Sequence, residues 1–201
     1  RFARSPWLIK NKTVTEILRE NIRLTEIALK QRTKINQTGF RTPGGFSQGL
    51  TGRADLQQLL LELGFSWISS KYPRHLATRD QQGVPQSTYD NIIQAQQDAQ
   101  PFKYESGLIE IPMSPISDVN AFRSNFWKLD EFTKAISMSV KSVIEKRQVY
   151  DFLCHPSCLL VEDPDHKILR TIIKTVQAKP DLARISTLDE IAIGIDRRGN
   201  K

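Results

Sequence analysis

The sequence predicts an α/β protein with parallel strands. Two observations carry that expectation: strand-like and helix-like stretches alternate along the chain, and several helical stretches repeat apolar residues every three or four positions. At 201 residues the chain is expected to form one domain, residues 1–195, with a loose tail at 196–201.

Thr13-Val14-Thr15-Glu16 has the form of a capping box and opens a helix to about Thr33. Val14, Leu18, Ile22, Thr25 and Leu29 should mark its buried face. Gly39 to Arg41 then reads as a short strand ended by the Pro43-Gly44-Gly45 turn. Ala54 to Leu63 is a second amphipathic helix, stopped by Gly64. Phe65 to Ser69 alternates like a strand, and residues 71–86, with Pro73, Gly83 and Pro85, form a long polar loop of the lid or rim type.

Ser87 to Gln100 is expected to be helical. Leu108 to Met113 reads as a buried strand, and Ser114 to Ser124 as a loop with one helical turn. Lys128 to Arg147 carries Leu129, Phe132, Ile136, Val140, Val143 and Ile144 at helical spacing. Tyr150 to His155 is a strand broken by Pro156. Pro164 to Ala178 is a helix, Ala183 to Ser186 a last short strand, and Thr187 to Ile193 a terminal helix.

Charge is unevenly placed. Residues 1–53 hold eleven Lys/Arg against three Asp/Glu, a net of +8, while the remainder balances to −1. Such asymmetry fits a nucleic-acid face or a segment that meets acidic groups elsewhere. No basic run is interleaved with aromatics, so nucleic acid is the minor reading. No apolar run approaches the ~20 residues that span a bilayer, and no membrane partner is expected. Cys154 and Cys158 lack a second Cys/His pair at zinc-finger spacing and read as free thiols. The chain starts at Arg1 and its methionines are Met113 and Met138, so the expectation is that something upstream was processed, cut or left out.

In α/β sheets ligands bind at the carboxyl ends of the strands. Three candidates fall there: Arg41 with the Pro-Gly-Gly turn, Pro112 with the loop to Asp118, and His155-Pro156. An arginine before a turn is by itself an ordinary strand rim, and a histidine before proline an ordinary strand terminus. A guanidinium there can also hold a carboxylate in a fork, glycines such as Gly44 let a ligand approach the backbone, and His155 is the natural proton carrier.

Taken in order, Gly39-Phe40-Arg41-Thr42-Pro43-Gly44-Gly45, Leu108 to Pro115, Leu153-Cys154-His155 and Ile185 to Ile191 resemble the motifs of the polysaccharide deacetylases, the NodB-like carbohydrate esterases. The resemblance implies a partial distorted (β/α) barrel whose first strands are absent from these 201 residues. It implies a hydrolase removing acetyl groups from N- or O-acetylated polysaccharide, dependent on a divalent metal, commonly zinc, in the full-length protein. His155 would protonate the leaving amine and Arg41 would orient a base whose carboxylate lies outside this chain. Leu153 would line the acetyl pocket, and Pro43, Gly44 and Trp67 would contact substrate. Asp118 is the candidate partner of His155. The family's Thr-Phe-Asp-Asp and His-x-x-x-His motifs are absent, so no metal ligand is assigned here. The alternative is a metal-free deacetylase-like module that binds glycan or a protein partner.

Overall fold

The computed structural model describes residues 11–199. Its elements run α1 (Val14–Thr33), β1 (Gly39–Phe46), α2 (Ala54–Glu62), β2 (Trp67–Lys71), α3 (Gln86–Ala95), β3 (Phe102–Lys103), β4 (Ile109–Glu110), α4 (Leu129–Glu145), α5 (Pro156–Glu162), α6 (Lys167–Gln177) and α7 (Leu188–Gly199). A π-helical turn, Val119–Ser124, precedes α4. The sheet is open, with order β1-β2-β4-β3; β1, β2 and β4 are parallel and β3 is antiparallel to β4. The protein is therefore α/β with a mixed, mostly parallel four-stranded sheet, and among the described residues no barrel closes.

Local sequence sets the helix ends as expected. Thr13 and Glu16 form both bonds of the capping box. Gly64, at φ +86°, closes α2: the Gly64 and Phe65 N–H groups donate to the Leu61 and Leu60 carbonyls, and Phe65 packs with Leu60. This turn uses up Phe65, so the strand starts two residues later than the alternation suggests. Pro156, read as a strand breaker, instead stands at the first position of α5, where its missing N–H costs nothing.

β1 does not end at its turn. Arg41 pairs with Ser69 and Phe46 with Lys71, so five steps on β1 face two on β2. The surplus is a bulge over Thr42–Gly45, with Gly44 at φ +91°. A Cβ on Gly45 would fall 2.4 Å from Tyr72 Cβ, so the glycine lets the bulge close onto the next strand. Pro43 is tolerated because β1 is the sheet edge.

Each face of the sheet has its own cover. Phe40, Ile68 and Leu108 pack with Ile22 of α1 and with Leu56 and Leu60 of α2. The other face carries Trp67, Ile109 and Ile111 against Leu188, Ile191 and Ala192 of α7. A third cluster joins α3, α4, α5 and α6 around Phe132, Ile136 and Ile168.

Four expectations change. α1 contains no buried residue, and Val14 and Leu29, near its two ends, are exposed; Ile22 is the residue of the expected face that packs on the sheet cluster. Residues 150–155 are extended but form no ladder: Leu153 N–H donates to Ser114 Oγ and His155 N–H to Asp118, both side-chain acceptors. Residues 183–186 form no strand, and Ile185 is exposed. The supposed loose tail continues α7 to Gly199, tied by Lys103 Nζ to Asp196 Oδ1 at 2.6 Å.

The strongest buried polar unit is Glu110, on the α2-facing side of β4. It is 0 % exposed and accepts from Ser70 N–H, Lys71 N–H, Ser70 Oγ and Tyr104 Oη at 2.6–2.8 Å. Tyr104 Oη in turn accepts the Leu50 N–H at 2.8 Å. Burial, reinforced by Glu110, pushes the Tyr104 phenol well above its ordinary pKa, so it stays a donor. Replacing Glu110 by alanine leaves these buried donors without an acceptor. E110A is expected to lose about 3 kcal/mol or more in urea titration, and E110Q distinctly less.

Candidate functional site

At the carboxyl ends of the strands, residues 151–155 run against the loop that follows β4. Ser114 N–H donates to the Asp151 carbonyl at 2.8 Å, and Leu153 N–H to Ser114 Oγ at 3.1 Å. In an extended segment alternate side chains share a face. Tyr150, Phe152 and Cys154 pack on the helical core, which turns Asp151, Leu153 and His155 to the opposite side.

Asp118 organises the upper end of this row. Its side chain is 0 % exposed and accepts three bonds: His155 Nδ1 at 2.7 Å, His155 N–H at 2.7 Å and Val119 N–H at 2.8 Å. A carboxylate only accepts, so His155 carries its proton on Nδ1 and presents Nε2 as the free lone pair. The ring is 46 % exposed. The structure thus supplies the partner of His155 from Asp118.

Arg41 organises the lower end. Its Nη2 donates to Asp151 Oδ2 at 2.6 Å, and Ser69 Oγ donates to the same oxygen at 3.1 Å. Arg41 therefore has a carboxylate partner within this chain, which corrects the expectation that it lay outside. The reason is positional: Asp151 is buried, and the nearest cation able to compensate it is the guanidinium of β1. Arg41 Nη1 is buried with no partner among the described residues. Burial pushes the Asp151 carboxyl up, against the pull of Arg41 and Ser69.

The 151 segment lies beside the continuation of β4, so the Arg41–Asp151 contact, with Ser69 donating to the same oxygen, ties the edge strand β1 across β2 to that segment.

The remaining candidates divide. Pro43 and Gly44 are exposed in the β1 bulge next to Arg41. Leu153 lies between Asp151 and His155. Trp67 stands apart, at the start of β2: its indole covers Gly39, where a Cβ would fall 1.8 Å from Trp67 Cε2, and its Nε1 donates to Asp189 of α7 at 2.6 Å. Cys154 and Cys158 are free, with burial pushing both thiols up and away from reactivity.

The long loop at 72–85 borders the site and is fastened on several sides. Trp127 Nε1 donates to the Ala77 carbonyl at 3.0 Å, Arg79 pairs with Glu131 at 2.9 Å, and His75 Nε2 lies 3.3 Å from Asn120 Oδ1. Sequence reasoning missed Ser69, Ser114 and Asp151. The signal for Asp151 was present in its spacing of two and four from Leu153 and His155.

Among the described residues no group of three His, Cys, Asp or Glu side chains could hold a metal ion. His155 Nδ1 is taken by Asp118 and Asp151 Oδ2 by Arg41 and Ser69. Among the described residues no helix is long and apolar enough to cross a membrane. The chain matches no protein-family model, no curated protein and no solved structure.

Arg41 and Asp151 give a pH-dependent test. Removing the cation leaves a buried carboxyl that favours its neutral form. An acid whose folded-state pKa lies above the ordinary 3.8 contributes stability while protonated and loses it as pH rises through the folded value. R41Q is therefore expected to cost about 1–3 kcal/mol at pH 8, between exposed and buried ion-pair values, and distinctly less near pH 4. Denaturant titrations of both proteins at the two pH values check this.

Proposed function

We propose that this protein belongs to the hydrolases that remove acetyl groups from acetylated polysaccharide. The observation that carries the reading is the Asp118–His155 pair, with Nε2 open beside Leu153 at the strand ends. The ordered resemblance to polysaccharide deacetylases supports it. So does the convergence of Arg41, Ser69 and Asp151 from β1, β2 and the 151 segment at the strand ends.

In this reading the acetyl methyl rests against Leu153. Water adds to the acetyl carbonyl carbon as its proton passes to Nε2 of His155, and His155 then delivers that proton to the nitrogen or oxygen of the sugar as the bond to the acetyl carbon breaks and acetate leaves. Without the proton an amide would have to leave as a poor anionic group, and positioned acid catalysis typically contributes 10²–10⁴-fold. Asp118 fixes the tautomer and supports the imidazolium. Arg41 is a positioning residue: it anchors Asp151, four residues before His155, and its unfilled Nη1 can take a further acceptor.

The metal of the resembled family does not fit the residues described, because the candidate ligands are engaged with one another. That same observation favours a second reading, a deacetylase-like module that binds glycan without turnover.

Acetate release from acetylated chito-oligosaccharides separates the two. H155A and D118N are each expected to lose about 10²-fold or more in kcat with little change in KM. Full acetate release by H155A would remove the residue assignments, and no release by the unmodified protein, with glycan still bound, would favour the binding module.

A further inference from the structure

Residues 150–152 also line a cavity of about 860 Å³, a size within the range of small-molecule sites. Most of its lining is apolar. α4 contributes Val143, the 151 segment Phe152, and α6 Ile173 and Val176; Ile185 and Ile191 come from the stretch leading into α7 and from α7 itself. Val143 is buried, whereas Ile173 and Ile185 are exposed, so the cavity runs from the core to the surface.

Four charged side chains line it, and they divide. Asp151 is engaged by Arg41 and Ser69, and Glu190 accepts the Thr187 N–H at 2.9 Å in the cap of α7. The guanidiniums of Arg147 and Arg184 have no hydrogen bond or ion pair to any described residue. Beside them Gln148 lines the same cavity, with its Oε1 buried and without a partner among the described residues. Arg147 also stands at φ +53°, where the Gln148 N–H closes α4 on the Val143 carbonyl at 2.8 Å. Glycine fills such a position at lower backbone cost. That cost is borne here for a guanidinium that bonds nothing in the described chain.

Apolar walls with unpaired guanidiniums match an occupant that has both characters, an aliphatic chain ending in an anion. A flexible chain follows the cavity down to Val143, and a carboxylate accepts the forked bonds of a guanidinium. The Gln148 amide, with Nε2 turned inward, adds a further donor. We propose that this cavity binds a single-chain aliphatic carboxylate, with its chain against Val143, Phe152 and Val176 and its head on Arg147 and Arg184. The site does not depend on the glycan reading above.

Calorimetric titration with dodecanoate, below its micelle concentration, tests this against dodecylammonium and butyrate. Dodecanoate is expected to bind once per chain with a Kd of about 10 μM or below, and the other two about tenfold more weakly or worse. R147G combined with R184Q should weaken dodecanoate about tenfold, and so should I173D, which sets a like charge beside the ligand. All three positions are exposed, so the buried core stays in place. Unchanged dodecanoate binding by the double variant would overturn the proposal, as would equal binding of dodecylammonium or no binding below about 1 mM. Anionic phospholipid vesicles are titrated alongside: vesicle binding without binding of free dodecanoate would overturn it by making the arginines a membrane contact. Sedimentation that shows a dimer indifferent to dodecanoate, with no heat of dodecanoate binding, would overturn it in favour of a second copy of this chain.

Discussion

Asp118 is the constraint around which the rest of the site is arranged. It is fully buried and accepts three hydrogen bonds, from the ring and backbone of His155 and from the first N–H of the π-helical turn. A buried carboxylate with fewer donors would be costly. Here the cost is offset by fixing three things together: the imidazole tautomer, the end of the extended segment 151–155, and the start of α5 at Pro156. The segment needs no strand ladder because Asp118 and Ser114 take the N–H groups that a ladder would have taken.

The second anchor, Arg41 with Asp151, works at the other end of the same segment. Between them the two carboxylates hold five residues at both ends and present alternate side chains to one side. Arg41 reaches it from the edge strand, whose bulge closes onto Tyr72. Packing of α2 on one face and α7 on the other then fixes the sheet. Fold and site therefore share the same residues: Arg41, Ser69 and Asp151 tie β1, β2 and the 151 segment together.

Much of the helical frame was legible because apolar residues at helical spacing, a capping box and Gly64 are local signals. The strands were less so. β3 is two residues long and has no periodicity to read, and residues 150–155 look like a strand but bond to side chains. Pro156 carries one local preference compatible with two outcomes, breaking a strand or opening a helix. His155 and Asp118 were visible as candidates, yet their contact spans 37 positions and that of Arg41 with Asp151 spans 110, and no local pattern encodes such distances. Trp67 was expected at the substrate through the resemblance; its bond to Asp189 of α7 joins residues 122 positions apart, which no local pattern encodes.

The account stands most directly on the state of one imidazole. Long-range nitrogen–proton correlation spectra of the protein, labelled at histidine nitrogen and recorded where the His155 ring is neutral, report which nitrogen carries the proton. The structure predicts Nδ1–H with an unprotonated Nε2 at His155, and loss of that preference in D118N. A ring protonated at Nε2, or one whose tautomer is unchanged by D118N, would contradict the role given to Asp118.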